Sequence, residues 1–239
     1  MSLVTWTPAE LLSNSKNYAG KVWRMVEAQH LVSTSKIVDS LDEQELLEDI
    51  LEESKPPIPA EAADLDYLLF SPFRYSTRSP SGSRFRAITD PGVFYTAELI
   101  RTAAAEVGYW RWKFLQDTAG LDRLQPCTFT GFRVPIRTKC IDLREPPFHL
   151  NSELWRHPTD YTATQSIGKS AREAAIGAIL YTSVRDPDHC ACIAIMTSKA
   201  FAAKKPDPAC QTWTLTISAT EAIWMRQDEA FSFKTEEWE

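Results

Sequence analysis

The chain lacks any apolar run near the roughly 18 residues that a membrane-crossing helix needs. Its N-terminus, MSLVTWTPAELLSNSK, lacks the basic-then-apolar order of an export signal. A soluble cytoplasmic protein is the expectation. Positive charge is also short: 26 Lys and Arg against 32 Asp and Glu leave a formal charge of −6. That argues against a general nucleic-acid binder, whose affinity rests on cations neutralising phosphates. It leaves room for a local basic site that captures one small anion. Five cysteines (Cys127, Cys140, Cys190, Cys192, Cys210) are odd in number and lack zinc-ribbon spacing. His189-Cys190-x-Cys192 offers three ligating side chains, yet it lies in DHCACIAIM, which reads as a buried strand, where free cysteine is an ordinary core residue. No metal is expected, and reduced thiols agree with a cytoplasmic address. No Walker loop, Rossmann glycine pattern or nucleophile elbow is present, which sets aside P-loop and acyl-transfer chemistry. The histidines (His30, His149, His157, His189) are scattered and receive no role. There is no internal repeat and no low-complexity segment.

What is present is an ordinary globular composition, with 44% hydrophobic and 24% charged residues in 239. One domain over 1–239 is expected. A short helix from Pro8 to Asn14, capped by Thr7, opens the chain, and a strand follows at Val22 to Ala28. Ser40 then begins an acidic amphipathic helix whose apolar stripe is Leu41, Leu46, Leu47, Ile50 and Leu51. Lys55-Pro-Pro-Ile-Pro59 breaks it and reads as a joint within one domain. A short helix at Asp64 to Phe70 and an ordered loop at Ser71 to Ser83 come next. Further on, a strand at Gly92 to Thr96 leads into a long helix, Glu98 to Asp117. Strands are expected at Thr128 to Pro135, Cys140 to Leu143, Ala178 to Val184, Cys190 to Met196 and Thr212 to Ile217. A helix at Gln165 to Ala175 would be stopped by Gly177. Strands and helices mixed without regular βαβ alternation indicate an α+β fold.

Three stretches carry chemical interest. Pro72-FRYSTRSPSGSRFR-Ala87 gathers Arg74, Arg78, Arg84 and Arg86 in an acidic protein. Arginine presents a rigid fork of donors suited to phosphate, and small residues admit a ligand to the backbone. The alternative is a basic surface loop balancing acidic neighbours. In the second stretch, Pro91 to Arg111, helical spacing puts Leu99, Ala103, Val107, Trp110 and Phe114 on one buried stripe. Glu106 falls on its flank, where a poorly solvated carboxylate is held as a catalytic group needs to be; a pair with Lys113 or another helix is the structural alternative. The third, Gly177 to Arg185, is an apolar strand ending in Tyr181, Thr182 and Ser183, where polar groups either line a site or end the strand.

Together these stretches resemble the RES family, named for its arginine, glutamate and serine. The motifs appear in order as Val22-WRMV-Val26, Gly82-SRF-Phe85, Gly92-VFYTA-Ala97, Thr102-AAAE-Glu106 and Tyr181-TSVR-Arg185, over about residues 20 to 200. The long form looks closest to the ParT type. The family's arginine falls on Arg84, its tyrosine on Tyr95, its glutamate on Glu106, its serine on Ser183 and a further arginine on Arg24. One departure is that Thr182 stands where many relatives have a proline before the serine. The resemblance implies a split mixed β core with flanking helices, similar to ADP-ribosyltransferase toxins, cradling NAD as substrate without a metal. Arg84 would hold a phosphate or ribose, Tyr95 would stack on nicotinamide, Glu106 would stabilise the oxocarbenium-like ribose, and Ser183 would fix the nicotinamide or its ribose. It also implies a bacterial growth-blocking toxin, held inactive by a cognate antitoxin with a helical DNA-binding part and without direct contact to nucleic acid or membrane. ADP-ribose would go to a target protein such as phosphoribosyl pyrophosphate synthetase, or to phosphate or water. A catalytically silent interaction module is the reading from another class. The last stretch, Phe231-SFKTEEWE-Glu239, reads as a surface tail.

Overall fold

A computed structural model describes residues 5–28, 37–75, 82–121 and 123–239. Arg78, Ser81 and His30 of the sequence reading lie outside these residues. The first helix, α1 (Pro8–Ser13), forms as expected: Thr7 accepts from the Glu10 amide while the Glu10 carboxylate accepts from the Thr7 amide, satisfying donors that a helix start leaves open. β1 (Lys16–Glu27) follows, longer than expected because its first half pairs in register with a distant strand, from Lys16 opposite Cys140 onward. After α2 (Leu41–Glu53) and a single 3-10 turn, α3 (Tyr67–Arg74) starts at its Asp66 cap and continues into the stretch expected to be a loop. β2 (Phe94–Ala97) leads into α4 (Ile100–Asp117).

β3 (Cys127–Asp142) is one strand where two were expected. The intervening residues 136–139 pair with β1, so the ladder continues across them. Then come α5 (Ser152–Trp155), α6 (Thr162–Glu173), β4 (Ala178–Thr182), β5 (Ala191–Ile195) and β6 (Gln211–Ile217). Gly177 is not the stop of α6. The left-handed residue there is Ala175 at φ 54°, and Gly177 answers a different need: a Cβ on it would stand 1.9 Å from Thr138 Oγ1 of β3. Two more strands, β7 (Glu221–Arg226) and β8 (Glu229–Lys234), extend the sheet. The expected surface tail is therefore core: Phe233 and Trp238 are buried, and the Trp238 indole donates to the Arg185 carbonyl at 2.8 Å. Alternation of buried Ala222 and Trp224 in β7 is what pulls this end inward.

The strands form one mixed sheet in the order β1-β2-β5-β4-β3-β6-β7-β8, with β3 pairing back to β1. Among the described residues only β3 and β4 run parallel. β4 and β6 take the same side of β3 at opposite ends, residues 140–142 and 127–131, so the sheet splits between them. This is the α+β fold with a split mixed core and flanking helices that was expected. One face of β1–β5 packs Val22, Phe94, Val134, Leu180 and Ile193 with Leu69 of α3. The other face packs against α4 and α6, and the site lies on that side.

The two long amphipathic patterns turn out differently. The α4 stripe expected to be buried is largely exposed at Leu99, Trp110 and Phe114. The buried face holds Thr102, Ala104, Ala105, Gly108, Tyr109, Trp112 and Leu115, because small residues let the helix approach the sheet closely. α2 buries no residue at all. No helix among the described residues is long and apolar enough to cross a membrane.

Candidate active site

Seven segments of the chain meet around a cavity of about 250 Å³, among whose lining residues are Arg24, Arg84, Tyr95, Glu106, Tyr161 and Arg185. Arg84 sits at the tip of a tight turn closed by paired backbone hydrogen bonds between Ser83 and Arg86, at 2.8 and 3.0 Å. Gly82 makes this turn possible: its φ is +71°, and a Cβ would lie 2.1 Å from the Arg86 carbonyl. The Tyr95 hydroxyl holds the turn from β2, accepting from the Phe85 amide at 3.0 Å and sharing a hydrogen bond with Ser83 Oγ at 2.8 Å. Phe85 then plugs against Tyr181, ring edge to ring face at 4.9 Å. Tyr95 thus fixes the arginine turn through its hydroxyl as well as bordering the cavity. Burial pushes that hydroxyl's pKa up, and Tyr181's well up, so both stay protonated.

Glu106 projects from α4 beside Ala103, Val107 and Trp110, three of the five residues of the misassigned stripe, which line the cavity. Its Oε1 accepts from Ser183 Oγ at 2.6 Å and from Cys192 Sγ at 3.8 Å. Among the described residues Oε2 has no hydrogen-bond donor. Ser183 is fully buried and does not line the cavity. Its Oγ accepts from the Arg185 and Asp186 amides at 3.2 and 3.0 Å, which directs its proton to Glu106. Ser183 therefore orients the carboxylate from behind. Asp186 is itself tied to α4 by Thr102 Oγ1 at 2.6 Å, so the turn after β4 and the helix carrying Glu106 are one rigid unit. Burial, with the Glu106 charge beside it, raises the Cys192 thiol pKa well above its usual range and keeps it a donor, not a nucleophile.

Three arginines line this cavity, Arg24 also lining a second cavity against α3, and among the described residues none has a carboxylate within 4.0 Å. Each instead donates to a backbone carbonyl and lies over a ring. Arg24 gives Nη1 to the Tyr95 carbonyl at 2.8 Å and covers Phe94 at 4.4 Å. Arg84 gives Nη1 to the Trp155 and His157 carbonyls at 2.9 and 3.1 Å and covers Tyr161 at 4.7 Å. Arg185 gives Nη2 to the Pro158 carbonyl at 2.6 Å and covers Tyr109 at 3.4 Å. Burial lowers the Arg24 pKa to about 10, which still leaves it charged at neutral pH. Sequestered charge without a counter-ion is costly, by several kcal/mol in a dry interior. A cavity built this way favours an anionic ligand.

Of the described arginines of that cluster, Arg74, Arg84 and Arg86, only Arg84 lines the cavity. Arg74 pairs with Glu52 at 2.6 Å and donates to the Pro56 carbonyl, and Arg86 donates to the Asp90 and Tyr75 carbonyls. Both brace the chain. Glu106 has neither alternative partner, since Lys113 pairs with Asp117. Arg24, Arg84, Tyr95 and Glu106 come together, with Ser183 behind. Sequence reasoning assigned no role to Arg185, Tyr161 or Cys192. Arg185 stood at the end of a recognised motif, whereas no local signal marked Tyr161. No group of His, Cys, Asp and Glu suited to a metal exists among the described residues.

A split α+β sheet thus cradles an arginine-lined cavity with one oriented carboxylate. The RES domain model matches residues 58–218, more than half of the chain, and the chain belongs to that family. The match includes Arg84, Tyr95, Glu106, Ser183 and Arg185, while Arg24 on β1 precedes it. No curated protein matches. A chain of the crystal structure of the M. tuberculosis MbcT–MbcA toxin–antitoxin complex is similar, with TM-score 0.47 and 11% identity over 86% of this chain and 87% of that one.

Proposed function

We propose that this chain is the toxin of a toxin–antitoxin pair and that its cavity binds NAD and breaks the nicotinamide–ribose bond. The observation that carries this reading is the set of three arginines without counter-ions facing the same cavity as the oriented Glu106. A dinucleotide supplies what the cavity lacks: a doubly charged diphosphate for the guanidinium forks and flat rings for Tyr95, Trp110 and Tyr161. Glu106 is anchored through Oε1, which leaves Oε2 for a ribose hydroxyl and aligns negative charge with a ribose that becomes cationic. As the C1′–N bond breaks, its electron pair goes to the nicotinamide nitrogen and neutralises the pyridinium charge. C1′ then bonds to an acceptor oxygen, which releases its proton. Such preorganised electrostatics are worth about 3–4 kcal/mol per group. No metal is called for, because the leaving group is already cationic. RES membership, with the long form's likeness to the ParT type, favours a protein acceptor and a cognate antitoxin that covers the cavity.

The test is mass-spectrometric product analysis of NAD incubated with antitoxin-free protein, phosphate and cell extract, beside Glu106→Gln. Nicotinamide release with an ADP-ribose mass on a protein is the expected result. Release with only free ADP-ribose or its phosphate would replace transfer by NAD degradation, and NAD unchanged under every condition would overturn the reading.

A further inference from the structure

The segment from Trp155 to Tyr161 joins α5 to α6 and reaches the cavity through Tyr161. Residues 156–160 are all exposed, so no buried side chain anchors them. Their internal order is local: the His157 ring nitrogen accepts from the Thr159 and Asp160 amides, and the Tyr161 hydroxyl donates to the Pro158 carbonyl. Among the described residues, the hydrogen bonds tying 156–160 to elements beyond α5 and α6 come from two side chains, Arg84 and Arg185. These are two of the cavity's arginines.

Arg185 is buried and lines the cavity. It is 5% exposed, its guanidinium carbon lies over the Tyr109 ring at 3.4 Å, and its carbonyl accepts from Trp238. Its carbonyl contact uses Nη2, and Arg84's contacts use Nη1. A guanidinium carries five N–H donors in a fixed fork, so each can hold the segment and an anion at once. Phosphate oxygens bind such donors roughly twice as strongly as neutral acceptors.

We propose that Arg185 is a second phosphate anchor beside Arg84, and that a diphosphate in the cavity tightens segment 155–161 by pinning the two arginines that hold it. The segment is then a strap whose order reports occupancy. This rests on the dinucleotide reading above. In an empty cavity two cations without counter-ions are drawn toward solvent, and the strap loosens with them. A bound diphosphate removes that pull, and the two equilibria favour each other.

The experiment is hydrogen–deuterium exchange of the peptide covering 155–161, with and without ADP-ribose, which carries the diphosphate and is not consumed. Calorimetry of ADP-ribose and inorganic pyrophosphate runs beside it, on wild type and Arg185→Lys. Lysine keeps the charge and loses the fork. Slower exchange in the wild-type peptide on ADP-ribose binding is expected, as is affinity at least about 10-fold weaker in Arg185→Lys with the slowing lost. ADP-ribose binding the wild type without any change in strap exchange would overturn the proposal and leave the dinucleotide reading standing. Equal affinity in Arg185→Lys would do the same for the anchor. Absence of binding to folded wild type, checked by its thermal transition, would remove the dinucleotide reading and the anchor together. Should Arg185→Lys fail to fold, the wild-type exchange still decides on the strap.

Discussion

α2 and α4 look alike as sequence and behave in opposite ways. Both carry an apolar stripe at helical spacing. In α2 the stripe faces solvent, with Leu46 61% and Ile50 53% exposed, and the helix is tied to the body by the Glu52–Arg74 pair. In α4 the stripe edges the cavity, while the core contact is made by small residues and by Tyr109, Trp112 and Leu115. A stripe identifies a coherent face. What covers that face, whether sheet, ligand or nothing within the chain, depends on the shape of the opposite side. In α4 the alanines and Gly108 won, because a helix can come closest to a sheet where its side chains are smallest.

Trp110 and Trp112 are two residues apart and give the sharpest contrast, at 55% and 6% exposed. Trp112→Ala should cost about 3–5 kcal/mol of stability, seen as a lowered denaturation midpoint; a midpoint unchanged would mean that the buried face of α4 has been misplaced. Glu106→Gln on the same helix should lower nicotinamide release about 10²- to 10³-fold while leaving the midpoint within about 1 kcal/mol, since an amide still accepts from Ser183. Full activity in that variant would remove Glu106 from the chemistry. Trp110→Ala should barely alter stability and should weaken ADP-ribose binding by about 1 kcal/mol, the worth of one aromatic contact. An equal loss of stability in the two tryptophan variants would erase the distinction between wall and core. Least affected should be Leu46→Ser or Ile50→Ser in α2, with stability changes within about 0.5 kcal/mol. A larger drop in either would mean that α2 packs on the protein in solution.

Much of the site was legible before any coordinates. Arg84, Tyr95 and Glu106 fall in short ordered motifs, and a glutamate flanking an apolar helical face is a local signal. The tight turn at Gly82 was not legible: its φ of +71° shows only in the structure, whereas in the sequence the glycine read as a small residue admitting a ligand to the backbone. Arg185 and Tyr161 were not legible. Their meaning depends on the loop after β4 and the start of α6 meeting at one cavity wall, and nothing within either segment reports the other. Arg74 and Arg86 misled for the same reason: proximity in sequence said nothing of Glu52, Pro56 and Asp90, which claim them.

By itself the sequence determined the mixture of helices and strands, the absence of a long apolar span and the motif order that marks a RES domain. These are written in local periodicity, capping and steric demands, which act within a few residues. Only the tertiary structure decided that β3 runs unbroken beside β1, that the final residues enter the core, that Ser183 stands behind Glu106 and that three arginines line one cavity with no counter-ion among the described residues. Each of these depends on pairing or packing between segments far apart in the chain, where close approach and desolvation select among faces that look equivalent along the sequence.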